Sequence, residues 1–139
     1  MKQFPQAAIV LFITALVPLL LSGCLIDRFA NVDIDEILAD THIEDVDLQQ
    51  VGSGTYTGSH AAGLVEVESE VTVQHNTIEE ITITRHEKWR GGKAEAITDD
   101  VIQTQSLQVD VISGATVSSM VILKSIENAL RAGIQEQQQ

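Results

Sequence analysis

The stretch Asp110-Val111-Ile112-Ser113-Gly114-Ala115-Thr116 puts one carboxylate and two hydroxyls within seven residues. Hydroxyls in such a setting can cap a helix or accept a transferred group. Gly114 and Ala115 leave the approach to Thr116 open, since neither projects bulk beside it. Behind them Val117, Met120, Val121, Leu123, Ile126, Ala129 and Leu130 recur at three- and four-residue spacing, which predicts a helix with one apolar stripe on a core. A hydroxyl at the start of that helix stands beside unpaired N–H groups and the positive end of the helix dipole, a setting that favours an anion. Ordinary capping by Ser113 or Thr116 would use the same residues.

Cys24 is the only cysteine. It excludes an intrachain disulfide, a cysteine-based metal cluster and a Cys-x-x-Cys redox pair. Ahead of it, Lys2 precedes an uncharged run from Ala7 to Ile26 that contains Leu21-Ser22-Gly23-Cys24. That ending looks like a bacterial lipobox, with cleavage before Cys24 and lipid attached to its thiol. A basic start, an apolar stretch and small residues before the cut fit a secretory signal. A run of about 20 apolar residues can also span a bilayer, but Pro18 and the Ser22-Gly23 pair favour the lipoprotein. Either reading puts the folded part outside the cytoplasm, held at the membrane.

The formal net charge is −12, and eight acids fall between Asp27 and Gln50 against the single base Arg28. Such a stretch repels itself and buries little, so residues 24–50 are expected to form a solvated acidic tether. The charge also disfavours nucleic acid as a partner. Residues 1–23 form the signal peptide, 51–133 leave room for one small domain, and 134–139 make a flexible tail.

Within the domain, Gly54-Thr55-Tyr56-Thr57-Gly58 is a β-prone run with glycine on both sides, and Tyr56 is assigned to packing. From Val65 to Gln74, Val65, Val67, Val71 and Val73 alternate with Glu66, Glu68, Glu70, Thr72 and Gln74, the pattern of a half-buried strand. His75-Asn76-Thr77 turns the chain into a second strand through Ile78, Ile81, Ile83 and Arg85. A helix is expected over 94–107, then a strand at Gln108-Val109-Asp110-Val111. The order strand, hairpin, helix, strand, helix predicts an α+β domain, a small antiparallel sheet with its helices packed on one side.

The loop Arg85-His86-Glu87-Lys88-Trp89-Arg90-Gly91-Gly92-Lys93 holds four of the seven bases that follow the signal. A basic, glycine-containing loop in an acidic domain points to contact with a cofactor or redox partner, with Trp89 available for stacking. No paired His-x-x-x-His motif accompanies His86, so no metal site is assigned. No Gly-x-Gly-x-x-Gly follows a strand, which leaves no place for a dinucleotide.

Asp110-x-x-Ser113-Gly114-Ala115-Thr116 resembles the attachment signature of the FMN-binding domain family, which includes flavin-carrying components of the sodium-pumping NADH:quinone oxidoreductase and of the Rnf electron-transport complex. Gly54-x-Tyr56-x-Gly58 is similar to the element with which many of these domains begin. His86 stands where related domains often carry a histidine. The resemblance implies that Thr116 carries FMN through a phosphoester, placed there by a flavin transferase. It further implies that Asp110, Ser113, Gly114, Ala115, Val117 and Ser118 contribute to the cofactor site. The implied role is an electron carrier between a redox protein or quinone and a partner, with no catalytic residue of its own. Lys88-Trp89-Arg90-Gly91 departs from the Glu-Thr-Pro-Gly form of better-known members, so their pocket residues do not transfer. A lipoprotein module holding FMN or another anion non-covalently, and a structural lipoprotein without cofactor, are the alternatives.

Overall fold

Three antiparallel strands form as the alternation predicts: β1 at Gly54–Ala62, β2 at Val65–Gln74 and β3 at Thr77–Glu87, in the spatial order β1-β2-β3. The computed structural model describes Ala39, residues 41–87 and residues 92–138, within a unit that runs Ile34–Gln139. Cys24, the signal segment and Lys88 to Gly91 with Trp89 lie outside the described residues. Among the described residues no helix is long and apolar enough to cross a membrane.

On β2, Val67, Val71 and Val73 are fully buried while Glu70 and Gln74 face solvent. Burying each valine contributes on the order of 1.5–3 kcal/mol. Ser69 shares the buried row and bonds Ser125 Oγ at 3.0 Å. The isoleucines of β3 are unevenly spaced, and two register shifts accommodate them. Val73 pairs with Ile78 but Thr72 with Glu80, so Glu79 is an extra residue; the shift between Glu68 and Ser69 leaves Thr84 as the second. Without the first shift Ile81 would fall on the face opposite Ile78. Both His75 (φ 52°) and Asn76 (φ 62°) take left-handed conformations in the connecting turn, the geometry that suits a tight hairpin.

After β3, a 3-10 turn at Gly92–Ala96 leads into α1, Ile97–Thr104. The helix stops short of the expected Leu107 because Gln105 turns left-handed (φ 56°) at its end. Its side chain then acts as a fragment of strand. The amide oxygen accepts from Ile78 N–H at 2.7 Å and the amide nitrogen donates to Ile78 C=O at 3.0 Å, satisfying part of the β3 edge.

The strand expected at 108–111 does not form. Its neighbourhood hydrogen-bonds to side chains instead of a ladder: Leu107 N–H to Asp45 Oδ1 (3.0 Å), Gln108 N–H to Ser106 Oγ (3.0 Å) and Ile112 N–H to Ser119 Oγ (3.1 Å). These bonds hold the segment as an irregular strap, and β-prone residues alone do not make a strand without a partner edge.

The final helix, α2, spans Thr116–Glu136 and extends past Gly133, where the domain was expected to end. It packs across β1 and β2. A Cβ on Gly58 would stand 2.2 Å from Ser125 O and 2.3 Å from Ala129 N, so glycine here lets helix backbone rest on strand backbone. Tyr56 is buried and its hydroxyl donates to Gly52 C=O at 2.9 Å, in keeping with a packing role. The domain is thus a small α+β fold, an antiparallel sheet with helices covering one face.

The last part of the acidic segment is packed rather than solvated. Thr41 is buried, Ile43, Val46 and Leu48 lie against the core, and Asp47 caps the 3-10 turn Leu48–Gln50. Glu44 N–H donates to the buried Glu127 carboxylate at 3.2 Å, and Lys124 and Arg131 each donate to the same group. Side-chain acceptors and cations on the domain offset the self-repulsion that the sequence alone suggests.

Candidate cofactor site

Direction along the sheet fixes where α2 begins. Ser125 and Ala129 sit over Gly58, and Gly133 sits over Tyr56, so the helix runs antiparallel to β1. Thr116 is nine residues before Ser125, about 13 Å of helix or roughly four strand residues. The start of α2 therefore lies toward the end of the sheet marked by Ala62, Val65 and His86, since Val67 pairs with both His60 and His86.

The turn that delivers the chain to this point is built from Ser113 and Gly114. Ala115 N–H donates to Ile112 C=O at 2.9 Å, and Gly114 is left-handed at φ 76°. A side chain at Gly114 would be strained by that conformation. Ser119, fully buried one turn into the helix, holds Ile112 through its hydroxyl. Sequence reasoning passes over Ser119, although a serine among apolar, core-facing positions is itself a signal that a backbone group needs a partner.

Neither Ser113 nor Thr116 caps the helix. Ala115 occupies that position and no side chain makes a cap bond, so Thr116 is the first helical residue. The first intrahelical bond runs from Ser119 N–H to Ala115 C=O at 2.9 Å. The N–H groups of Thr116, Val117 and Ser118 therefore have no intrahelical acceptor. Thr116 is half-buried, Ser113 and Gly114 are exposed, and Ala115 is buried against the core. Val117 packs partly on the core. Ser118 is buried and stands about 200° around the helix from Thr116, so only its backbone N–H belongs to the helix start. Asp110 is exposed and lines an open cleft of about 330 Å³ with Ile43, Leu107, Val111, Met120 and Leu123. Met120 and Leu123 continue the helix face on which Thr116 stands.

Two further groups converge on this end from the 3-10 turn Gly92–Ala96, which packs against α2. Lys93 brings its ammonium over the turn at Gly114: a Cβ built there would lie 3.3 Å from Lys93 Nζ. Among the described residues no carboxylate pairs with Lys93. Two residues on, Glu95 holds His86 Nδ1 at 2.8 Å, and the His86 side chain is only 3% exposed. His86 Nε2 is buried with no hydrogen-bond partner. Uncapped N–H groups, a small-residue turn and the Lys93 ammonium form a set suited to a phosphate-bearing ligand. Among the described residues no group of three or more His, Cys, Asp or Glu could hold a metal ion.

A helix start that favours an anion is a setting that can receive a phosphate group. The family model of the FMN-binding domain matches residues 62–131, and the chain belongs to that family. The match runs from the end of β1 to Arg131 of α2 and includes the turn at Ser113 and Gly114, Lys93 and His86. It makes the protein a flavin-binding one. A search of curated proteins finds no match.

Proposed function

We propose that the protein carries FMN covalently on Thr116 and relays electrons outside the cytoplasm, tethered to a membrane through lipidated Cys24. The observation that carries this reading is the placement of Thr116 as the first residue of an uncapped α2, behind a left-handed Gly114 over which Lys93 lies. A phosphoester on the Thr116 oxygen would keep phosphate oxygens beside the N–H groups of Thr116, Val117 and Ser118, with the Lys93 ammonium offsetting their charge. Ser113, Gly114 and Ala115 keep the hydroxyl accessible to a flavin transferase, which brings its own activating groups. Asp110, on the strap that leads to the turn, belongs to the site through its place in the signature and its exposure beside the cleft.

When bound, FMN supplies the redox chemistry, exchanging one or two electrons with a partner protein or quinone. The chain's own residues bind and orient it. Attachment by a bond matters most outside the cytoplasm, where a released cofactor is lost by diffusion. The lipid and the packed segment from Thr41 onward would hold the domain near the membrane, with α2 fixed to that segment through Glu127, Lys124 and Arg131.

Exported chain made with a flavin transferase should run on a denaturing gel with flavin fluorescence on the band and gain one FMN by intact mass. Thr116→Ala should lose both. Fluorescence that disappears on denaturation favours a non-covalent FMN module, and a colourless native protein favours a structural lipoprotein; either overturns the covalent reading.

A further inference from the structure

Residues 41–48 precede the sheet and lie outside the part of the chain that matches the FMN-binding family, yet they are bonded to both elements that bracket Thr116. Asp45 takes the entry of the strap. Its carboxylate accepts from Leu107 N–H at 3.0 Å and from Ser106 Oγ at 2.9 Å. With its O–H turned to Asp45, the Ser106 hydroxyl accepts from Gln108 N–H at 3.0 Å. One carboxylate thus orders two successive N–H groups of the strap, through charge-assisted bonds. Leu107 is only 2% exposed and stands outside the sheet, so its N–H needs an acceptor that no ladder supplies.

The same segment holds α2. His42 C=O accepts from Lys124 Nζ at 2.8 Å, Glu44 N–H donates to Glu127 at 3.2 Å, and Arg131 pairs with the Glu44 carboxylate. Ile43, between these contacts, forms one side of the open cleft whose other sides are strap residues 107–111 and helix residues Met120 and Leu123. At the far end of the strap, Ile112 N–H reaches Ser119 Oγ of α2 at 3.1 Å, and Ile112 C=O accepts from Ala115 N–H at 2.9 Å. Segment, strap and helix therefore close a loop of contacts, and residues 113–115 are the short span between strap and helix. Fixing irregular backbone costs conformational entropy at every residue. The strap meets that cost through side chains remote in sequence, so its alignment with α2 depends on them.

We propose that residues 41–48 are a splint for the turn at Ser113 and Gly114, with Asp45 the positioning residue that aligns the strap with the start of α2 and so presents Thr116. The effect on flavin loading rests on the covalent-FMN reading; the alignment of the turn does not. The chain that runs in from Cys24 is then part of the scaffold of the site as well as its tether. Asp45 bonds to the strap and to none of residues 113–116, so its influence passes through the strap backbone. A carboxylate offers two acceptor oxygens, asparagine keeps one and alanine has none, which makes the role separable by substitution.

Amide hydrogen exchange on the full mature chain, made without the transferase, reads the alignment. Asp45→Ala should speed exchange at Ile112 and Ala115 by on the order of tenfold, although Asp45 bonds neither. Asp45→Asn, which keeps an acceptor for Leu107 N–H, should restore most of the protection, and Ser106→Ala should reproduce part of the loss from the strap's side. Tyr56→Phe removes a hydrogen bond near the opposite end of α2 and controls for general loss of stability; its Ile112 and Ala115 amides should exchange as in wild type. Made with the transferase, Asp45→Ala should gain FMN by intact mass several-fold more slowly than Tyr56→Phe. Unmoved exchange at Ile112 and Ala115 in both Asp45→Ala and Ser106→Ala, or equal loading of Asp45→Ala and Tyr56→Phe, overturns the proposal. A wild-type chain that gains no FMN overturns the covalent reading instead, and exchange at Ile112 and Ala115 then decides the splint by itself.

Discussion

Gly58→Ala tests how closely the helix that bears Thr116 must approach the sheet. The added carbon would lie 2.2 Å from Ser125 O and 2.3 Å from Ala129 N. Comfortable non-bonded separations begin at about 3.5 Å, so α2 must withdraw by roughly 1 Å along this line. Both neighbours are helix backbone, which no rotamer change can move aside. Overpacking costs about 1–3 kcal/mol, and a clash against backbone on two sides belongs at the upper end. Withdrawal also lengthens the buried Ser125–Ser69 hydrogen bond, 3.0 Å in the native packing. Alanine's smaller unfolded-state entropy returns about 0.4–1 kcal/mol, leaving a net loss of about 2 kcal/mol. For a domain of roughly 100 residues this lowers the melting temperature by about 8–16 °C. Thermal unfolding of apo chain, followed by far-UV circular dichroism, reads it directly. A melting temperature within about 2 °C of wild type would show that the helix has slack to give, and the close-contact account of Gly58 would be wrong.

Other perturbations follow from the same geometry. Ser119→Ala should leave Ile112 N–H without its acceptor, cost about 1–3 kcal/mol and slow FMN loading at Thr116, which mass spectrometry over a loading time course would measure. Lys93→Glu should slow loading a few-fold with little change in melting temperature, and the difference should shrink as salt is raised; equal loading rates at low salt would remove Lys93 from the phosphate site. At Glu127, burial by itself raises the carboxyl pKa, but hydrogen bonds from Lys124, Arg131 and the Glu44 N–H outweigh it and hold the group below the usual carboxylate range. A folded-state pKa below the unfolded one means stability that is present above about pH 4.3 and lost as pH falls through the folded value. Denaturant unfolding between pH 6 and 2 should therefore show a shallower acid decline for Glu127→Gln than for wild type, whereas Glu127→Ala should cost about 1–3 kcal/mol at neutral pH by taking the acceptor from Glu44 N–H, since Lys124 keeps the His42 carbonyl and Arg131 keeps Glu44.

Much of the fold is legible in the chain because period and burial coincide. Val67, Val71 and Val73 alternate strictly, and β2 forms over the predicted Val65–Gln74; the apolar spacing behind Thr116 likewise forecasts α2. The isoleucines of β3 point to one strand, but the bulges at Glu79 and Thr84 that align them depend on the register chosen with β2. The strap over 107–112 reads as a strand because Val109 and Val111 carry β-prone side chains, while the acceptors that divert the backbone come from Asp45 and Ser119. Those partners are 62 and 7 residues away from the groups they hold, beyond any local pattern.

Residue order is enough to specify the chemistry on offer: a threonine at a helix start behind two small residues, a single cysteine at the end of an apolar run, and the family to which the domain belongs. Side-chain type, turn preference and periodicity act over a few residues, so none of these needs a distant partner. Packing in three dimensions was required to put Ala115 rather than a hydroxyl residue at the cap, to hang Lys93 over Gly114, and to clamp His86 against Glu95 with Nε2 left unpaired. The position of Lys93 over Gly114 depends on where α2 comes to rest on the sheet, and the close contact at Gly58, far along the chain, is one of those that hold it there.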